Sequence, residues 1–315
     1  MKSIKTSLEI GTNYIFHLLS IARINYDNNY SHKYESTVSE KHREVLQKFK
    51  DRLSFANGNA GDLVEYMVFF PAYLGFNSQS DFERYFQLIK KAAQGRREEF
   101  FQEYGTKISE RKWLPEIDNK WFEALHSMTE EIKILEEVYI ENFTNYKDLV
   151  WPYEFLQMKE KSDELNEKLK KLDLIKSWEK ITGSEFKAKE YEIVLVSAIE
   201  GGPNANSLGY NKNVFFSGAK TNWMLDFISH EVGTHIMADF ALKLFKAPMI
   251  EPERMAEFYS AYECLSQFLN SLVLNRAPLY DLKCFRSEYY IPAYQELYNN
   301  GVRKPEDLLK AILNS

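Results

Sequence analysis

From Ser39 to about Gly95 apolar positions recur with helical period. Val45, Leu46, Phe49 and Leu53 share one face, the polar turn Asn57-Gly58-Asn59-Ala60-Gly61 interrupts the run, and Ser80 with Glu83 forms a capping box ahead of Phe82, Tyr85, Phe86 and Ile89. Gly95 is a fitting stop. Upstream, Tyr14 to Ala22 reads as an amphipathic helix containing His17, too short to span a membrane and a poor signal-peptide core. Downstream, the pattern predicts longer helices over about 118–143 and 153–175, parted at Trp151-Pro152. The second carries Leu165, Leu169 and Leu172 on one face, with Lys and Glu between them as a solvated surface.

The period changes after Gly183. Tyr191 to Val196 is a β-branched run of strand length, a polar loop follows from Glu200 to Asn206, and Asn213 to Ser217 makes a second short strand. Helix then returns over 221–245, over 252–275 with Pro252 in an allowed first-turn position, and over 305–313. The expected organisation is a helical region 1–183 and a region 184–315 built on the small sheet and the long helix after it. No linker separates the two, so they form one continuous unit. No repeat or low-complexity tract interrupts the order.

Composition narrows the class. Of 315 residues 44% are hydrophobic and 27% charged, enough for a sizeable core and incompatible with a disordered chain. Aromatics are abundant (22 Phe, 20 Tyr, 5 Trp), which ordinary core packing absorbs. The net charge of −6, with neither half positive, argues against a nucleic-acid partner. Two cysteines outside any CxxC pattern exclude a disulfide framework and a thiolate zinc finger, and fit a reducing, cytoplasmic compartment.

Six histidines are a small supply, yet two stand in Ser229-His230-Glu231-Val232-Gly233-Thr234-His235, on the long predicted helix. Neutral imidazole is the commonest metal ligand, and a Glu beside the first His is where a metallopeptidase keeps its base. The spacing is H-E-x-x-x-H. On a regular helix histidines five apart diverge by about 140°, so a shared metal calls for a π-type turn, which Gly233 would tolerate most easily. The bland alternative is two unrelated helix histidines. A third ligand must come from elsewhere, and the next helix offers Glu253, Glu257 and Glu263; helical position alone does not choose among them.

His230-Glu231-Val232-Gly233-Thr234-His235, followed by Tyr262-Glu263-Cys264-Leu265-Ser266, resembles the H-E-[IV]-G-T-H and Q-E-G-L-A pair of the QEGLA-motif zinc metallopeptidases, which include the microtubule-associated tyrosine carboxypeptidases. The likeness covers about a sixth of the chain, and of the second motif Glu263 and Leu265 are retained. It implies zinc held by His230, His235 and Glu263, with Glu231 as catalytic base. The fold it describes is mainly α (α+β) and zincin-like: a helical N-terminal half and a small β-sheet packed on the active-site helix.

The chemistry so implied is hydrolysis of a peptide or protein substrate by metal-activated water, at a polypeptide C-terminus, with no membrane partner. Tyr259, Tyr289, Tyr290 and Arg286 are candidates to stabilise the oxyanion. Arg286, Lys220 or Arg254 could meet a terminal carboxylate, and Asp239 could steady a ligand imidazole. Two other readings compete: a non-enzymatic helical interaction protein with a structural metal or none, and a zinc hydrolase of another amide or ester.

Overall fold

A computed structural model describes residues 2–56, 59–113, 115–245 and 254–314. The chain is mainly helical, with strands β1 (Ser3–Ser7), β2 (Phe55–Ala56), β3 (Asn59–Ala60), β4 (Glu190–Val196), β5 (Ala205–Gly209) and β6 (Lys212–Phe216). β1, β4, β6 and β5 form a sheet in that order, and β2 pairs with β3. β4 and β6 run parallel, with Glu192 opposite Lys212 and Val196 opposite Phe216. β5 turns back antiparallel onto β6 with a bulge between Ser207 and Gly209. Ile193 to Val196 are all buried, as the unbroken apolar run requires.

The chain divides into two compact units that interleave along the sequence. The larger comprises 5–164 and 192–218, and the smaller 165–191 and 219–315 with the N-terminal residues up to Ile4.

In the larger unit the helix Ile10–Ile21 is buried on every face from Gly11 onward, so the expected amphipathic stripe is absent. Most of its polar side-chain atoms find partners inside, although Oδ1 of Asn13 is buried without one. Thr12 donates to the Ala72 carbonyl (2.9 Å), Asn13 to that of Leu195 (2.8 Å) and Tyr14 to that of Tyr139 (2.7 Å). The aromatic surplus packs here, with the Tyr14 ring meeting Phe82 and Phe143 edge to face at 5.5 and 5.2 Å.

Three boundaries differ from the sequence pattern. The helix expected over 153–175 ends at Leu169, which leaves Leu172 exposed outside it, and a separate helix runs over Leu174–Thr182. The helix Gln79–Ala93 is capped by Ser78 and Asp81, not Ser80 and Glu83, because Ser78 is the residue in extended conformation. The predicted 118–143 helix is two, Asn119–Ser127 and Thr129–Glu141, broken at Met128. Trp151-Pro152 opens the helix Trp151–Leu169, where a first-turn proline has no amide bond to lose.

His17 is fully enclosed, Nδ1 2.9 Å from the Tyr30 hydroxyl and Nε2 3.1 Å from that of Thr37, and burial pushes its pKa down to about 3. The unfolded chain therefore takes up this proton first as pH falls. The His17 contribution is complete above the ordinary value of 6.5 and declines towards pH 3 by up to about 1.4 kcal/mol per unit. Urea titrations at several pH values should show that His17→Gln, whatever its overall stability, loses this slope between pH 6 and 4; an unchanged slope would remove His17 from the acid response.

The smaller unit gathers the helices Leu174–Thr182, Thr221–Phe245, Met255–Leu274, Ser287–Asn299 and Pro305–Leu313. The long helix keeps the predicted bounds. The next begins at Met255 and ends where Asn275 turns left-handed, while Pro252 lies outside the described residues. Trp178 is fully buried and its indole N–H donates to the Ser229 hydroxyl at 3.0 Å. Among the described residues no helix is long and apolar enough to cross a membrane.

Candidate metal site

The helix Thr221–Phe245 is α-helical throughout, so the π turn expected at Gly233 is absent. The one π segment among the described residues is Glu65–Phe69, in the other unit. Gly233 has a packing reason instead: a Cβ there would overlap the indole of Trp178. His230 and His235 consequently keep the wide divergence of a regular i, i+5 pair.

His230 points at the helix Met255–Leu274. Its ring is fully buried, stacked on Phe227 (5.5 Å, 27°) and met edge-on by Tyr280 (5.3 Å, 72°). Nε2 lies 3.0 Å from Oε2 of Glu263, while Nδ1 is buried without a hydrogen-bond partner. The two helices are tied on either side of this contact. Ser266 donates to the His230 carbonyl at 3.2 Å and Tyr262 to that of Thr234 at 2.5 Å. His235 is equally buried, its ring against the edge of Tyr191 at 5.2 Å. The structure thus joins His230 to Glu263 across 33 residues of chain and sets His235 on a different face of its helix.

Two carboxylates act on one half-buried phenol beside this pair. Tyr259 lies beside Glu263. The Glu263 charge, then burial, then the Glu231 charge hold its proton on, so its pKa lies well above the ordinary phenol value. Burial, with the charges of Glu231 and Glu263, does the same to Tyr280. Tyr259 is therefore a neutral donor next to Glu263 at any physiological pH.

Tyr280 and Phe227 are the site residues the sequence pattern does not single out. Asp226 positions the first: it holds Arg276 through two bonds (2.6 and 2.7 Å) and accepts from the Leu279 amide at 2.9 Å. Asn270 and Gln267 then fix the Tyr280 hydroxyl and carbonyl, each at 3.0 Å. The signal that could have pointed here is Asp226 itself, an acidic residue one helical turn before His230.

The other candidates scatter. Glu257 is exposed and pairs with Arg254 at 2.8 Å, and Glu253 lies outside the described residues. Arg286 lies over the ring of exposed Tyr289 at 5.0 Å, Tyr290 is buried, and Lys220 is exposed. Asp239 is exposed and pairs with Lys187. Cys264 donates to the Phe285 carbonyl at 3.4 Å, and burial pushes its thiol up to about 12, which disfavours a thiolate ligand.

Comparison of the chain with protein-family profiles, with curated proteins and with solved structures gives no match in any of the three.

Proposed function

We propose that the chain is a zinc-dependent metallopeptidase of zincin-like architecture, related to the QEGLA-motif enzymes its motifs resemble, and that it acts on a polypeptide C-terminus. The observation that carries this reading is the approach of His230 Nε2 to Glu263 Oε2 at 3.0 Å, with Glu231 close enough to act on the same tyrosine. An imidazole nitrogen and a carboxylate oxygen so placed fit one tetrahedral ion, whose ligand atoms stand about 3.3 Å apart when each bond is about 2.0–2.1 Å. His230 and Glu263 would hold the ion. The likeness makes His235 the third ligand, which on this regular helix would have to turn from its face against Tyr191 to reach it.

Zinc, when bound, supplies Lewis acidity, polarising a substrate carbonyl and making a water acidic near neutral pH. Glu231 takes the proton of the attacking water on its carboxylate and returns it to the leaving amine. Tyr259, a neutral phenol beside Glu263, would donate to that carboxylate and keep it aimed at His230.

Zinc content tests the reading first. Protein purified without chelators should hold about one tight equivalent, which His230→Ala and Glu263→Gln remove. A chain that neither contains zinc nor takes it up would end the proposal. His235→Ala separates two roles: a ligand lowers affinity by more than the about 10–100-fold of an outer-shell partner, whereas a packing residue against Tyr191 leaves affinity intact. Incubating the protein with a C-terminally diverse peptide library, with and without chelator, identifies the cut by mass spectrometry: loss of one terminal residue marks a carboxypeptidase and internal cuts an endopeptidase.

A further inference from the structure

The larger unit brings together a second set of metal-ligating groups, on two helices that the proposed chemistry does not use. Glu137 and Glu141 lie four residues apart on the helix Thr129–Glu141, so their carboxylates share a face. His42, from the helix Glu40–Lys48, sits opposite them. Its Nε2 is 3.8 Å from Oε1 of Glu137 and 3.5 Å from Oε2 of Glu141. Among the described residues this is the one group of three His, Cys, Asp or Glu whose ligand atoms all lie within 4.8 Å of one another.

We infer that His42, Glu137 and Glu141 form a binding site for a divalent ion of the zinc class. Two features of the cluster point to a cation, and a third fixes the ring. The imidazole is more than nine-tenths buried, at 7% exposure, and aims Nε2 between the carboxylates. Both oxygens lie beyond ordinary hydrogen-bond length, at about the spacing of neighbouring ligands around one ion. The ring is also held from behind: Asn142, at the end of the same helix, has its amide nitrogen 2.7 Å from Nδ1 and 2.7 Å from the Val138 carbonyl. That contact orients the ring, but a ligating imidazole donates its second N–H, so the Asn142 amide must turn before Nε2 can bind an ion. One nitrogen and two carboxylates suit a borderline ion such as zinc, with water filling the solvent side, where the two carboxylates are about half exposed.

The proton inventory closes. Without an ion, Asn142 donates to Nδ1, so Nε2 carries the ring proton. Uptake moves that proton to Nδ1, and the Asn142 amide turns to accept it through Oδ1, giving up its bond to the Val138 carbonyl. Lys41, whose Nζ is 2.6 Å from Oε1 of Glu137, is largely exposed and swings into water.

The test uses the full chain and zinc alone. Glu137 and Glu141 are exposed, so Glu137→Gln/Glu141→Gln keeps the fold, checked by circular dichroism. Calorimetric titration should show one equivalent in the wild-type chain, of micromolar strength, that weakens at least about tenfold in the double variant. The same equivalent survives His230→Ala, which separates it from the proposed catalytic ion. Nitrogen NMR of His42 should show its proton moving from Nε2 to Nδ1 as zinc is added. Equal stoichiometry and affinity in wild type and Glu137→Gln/Glu141→Gln, or an unmoved His42 proton at saturation, would overturn the inference.

Discussion

Glu231→Gln should abolish peptide hydrolysis while leaving the protein folded and its zinc in place. The substitution keeps the shape of the side chain and removes only its capacity to take a proton. It leaves the backbone untouched, including the Glu231 carbonyl that accepts from the Thr234 hydroxyl at 2.8 Å. A positioned general base contributes about 10²–10⁴-fold, and Glu231 is asked both to activate water and to protonate the leaving amine, so kcat should fall by about 10³–10⁴-fold. KM should change little, because the base is not a binding group. The measurement is kcat on the peptide that the library experiment selects, with zinc content and thermal midpoint of the same preparations as controls. A variant retaining more than a tenth of wild-type kcat with its zinc bound would show that Glu231 is not the base. A variant that loses its zinc would mean Glu231 belongs to the ligand set.

The parts of this site legible in the sequence are those set by local period. The bounds of the helix Thr221–Phe245 and of Pro305–Leu313, and the strand pair β4 and β6, follow from apolar spacing and end signals a few residues long. The pairing of His230 with Glu263 does not, since helical position left Glu253, Glu257 and Glu263 open and only the motif likeness chose. Gly233 invited a π turn because the sequence cannot show Trp178, 55 positions earlier, resting where a side chain would go. The segment Tyr14 to Ala22 looked amphipathic, with His17 as its polar member, whereas the helix Ile10–Ile21 buries Thr12 and Asn13 along with His17. Their partners Ala72, Leu195 and Thr37 lie far along the chain, and burial on all faces leaves no periodic trace. Tyr280 was hidden for the same reason: its position depends on the Asp226–Arg276 tie across 50 residues.

The largest stability effect should come from the larger unit, where the π segment begins with Glu65. Arg111 grips this carboxylate with two guanidinium nitrogens, one at 2.9 Å, and gives its remaining Nε–H to the Leu208 carbonyl at 2.7 Å. Both side chains are buried, and for Glu65 the loss of solvation outweighs the neighbouring cation, so its pKa is raised despite the pair. Such a pair contributes little net stability, because desolvating two charges consumes most of their attraction. Removing one partner is another matter, since it strands the other charge. Arg111→Met should therefore cost about 3–5 kcal/mol, read as a lower urea midpoint, and Glu65→Leu should cost a similar amount. The double variant Glu65→Leu/Arg111→Met leaves no buried charge and deprives only the Leu208 carbonyl of a donor. It should be more stable than either single variant, with a coupling energy of several kcal/mol in the mutant cycle. Additive losses would mean that the two side chains contribute through separate packing, and that the π turn presenting Glu65 is held by its apolar neighbours and not by the ion pair.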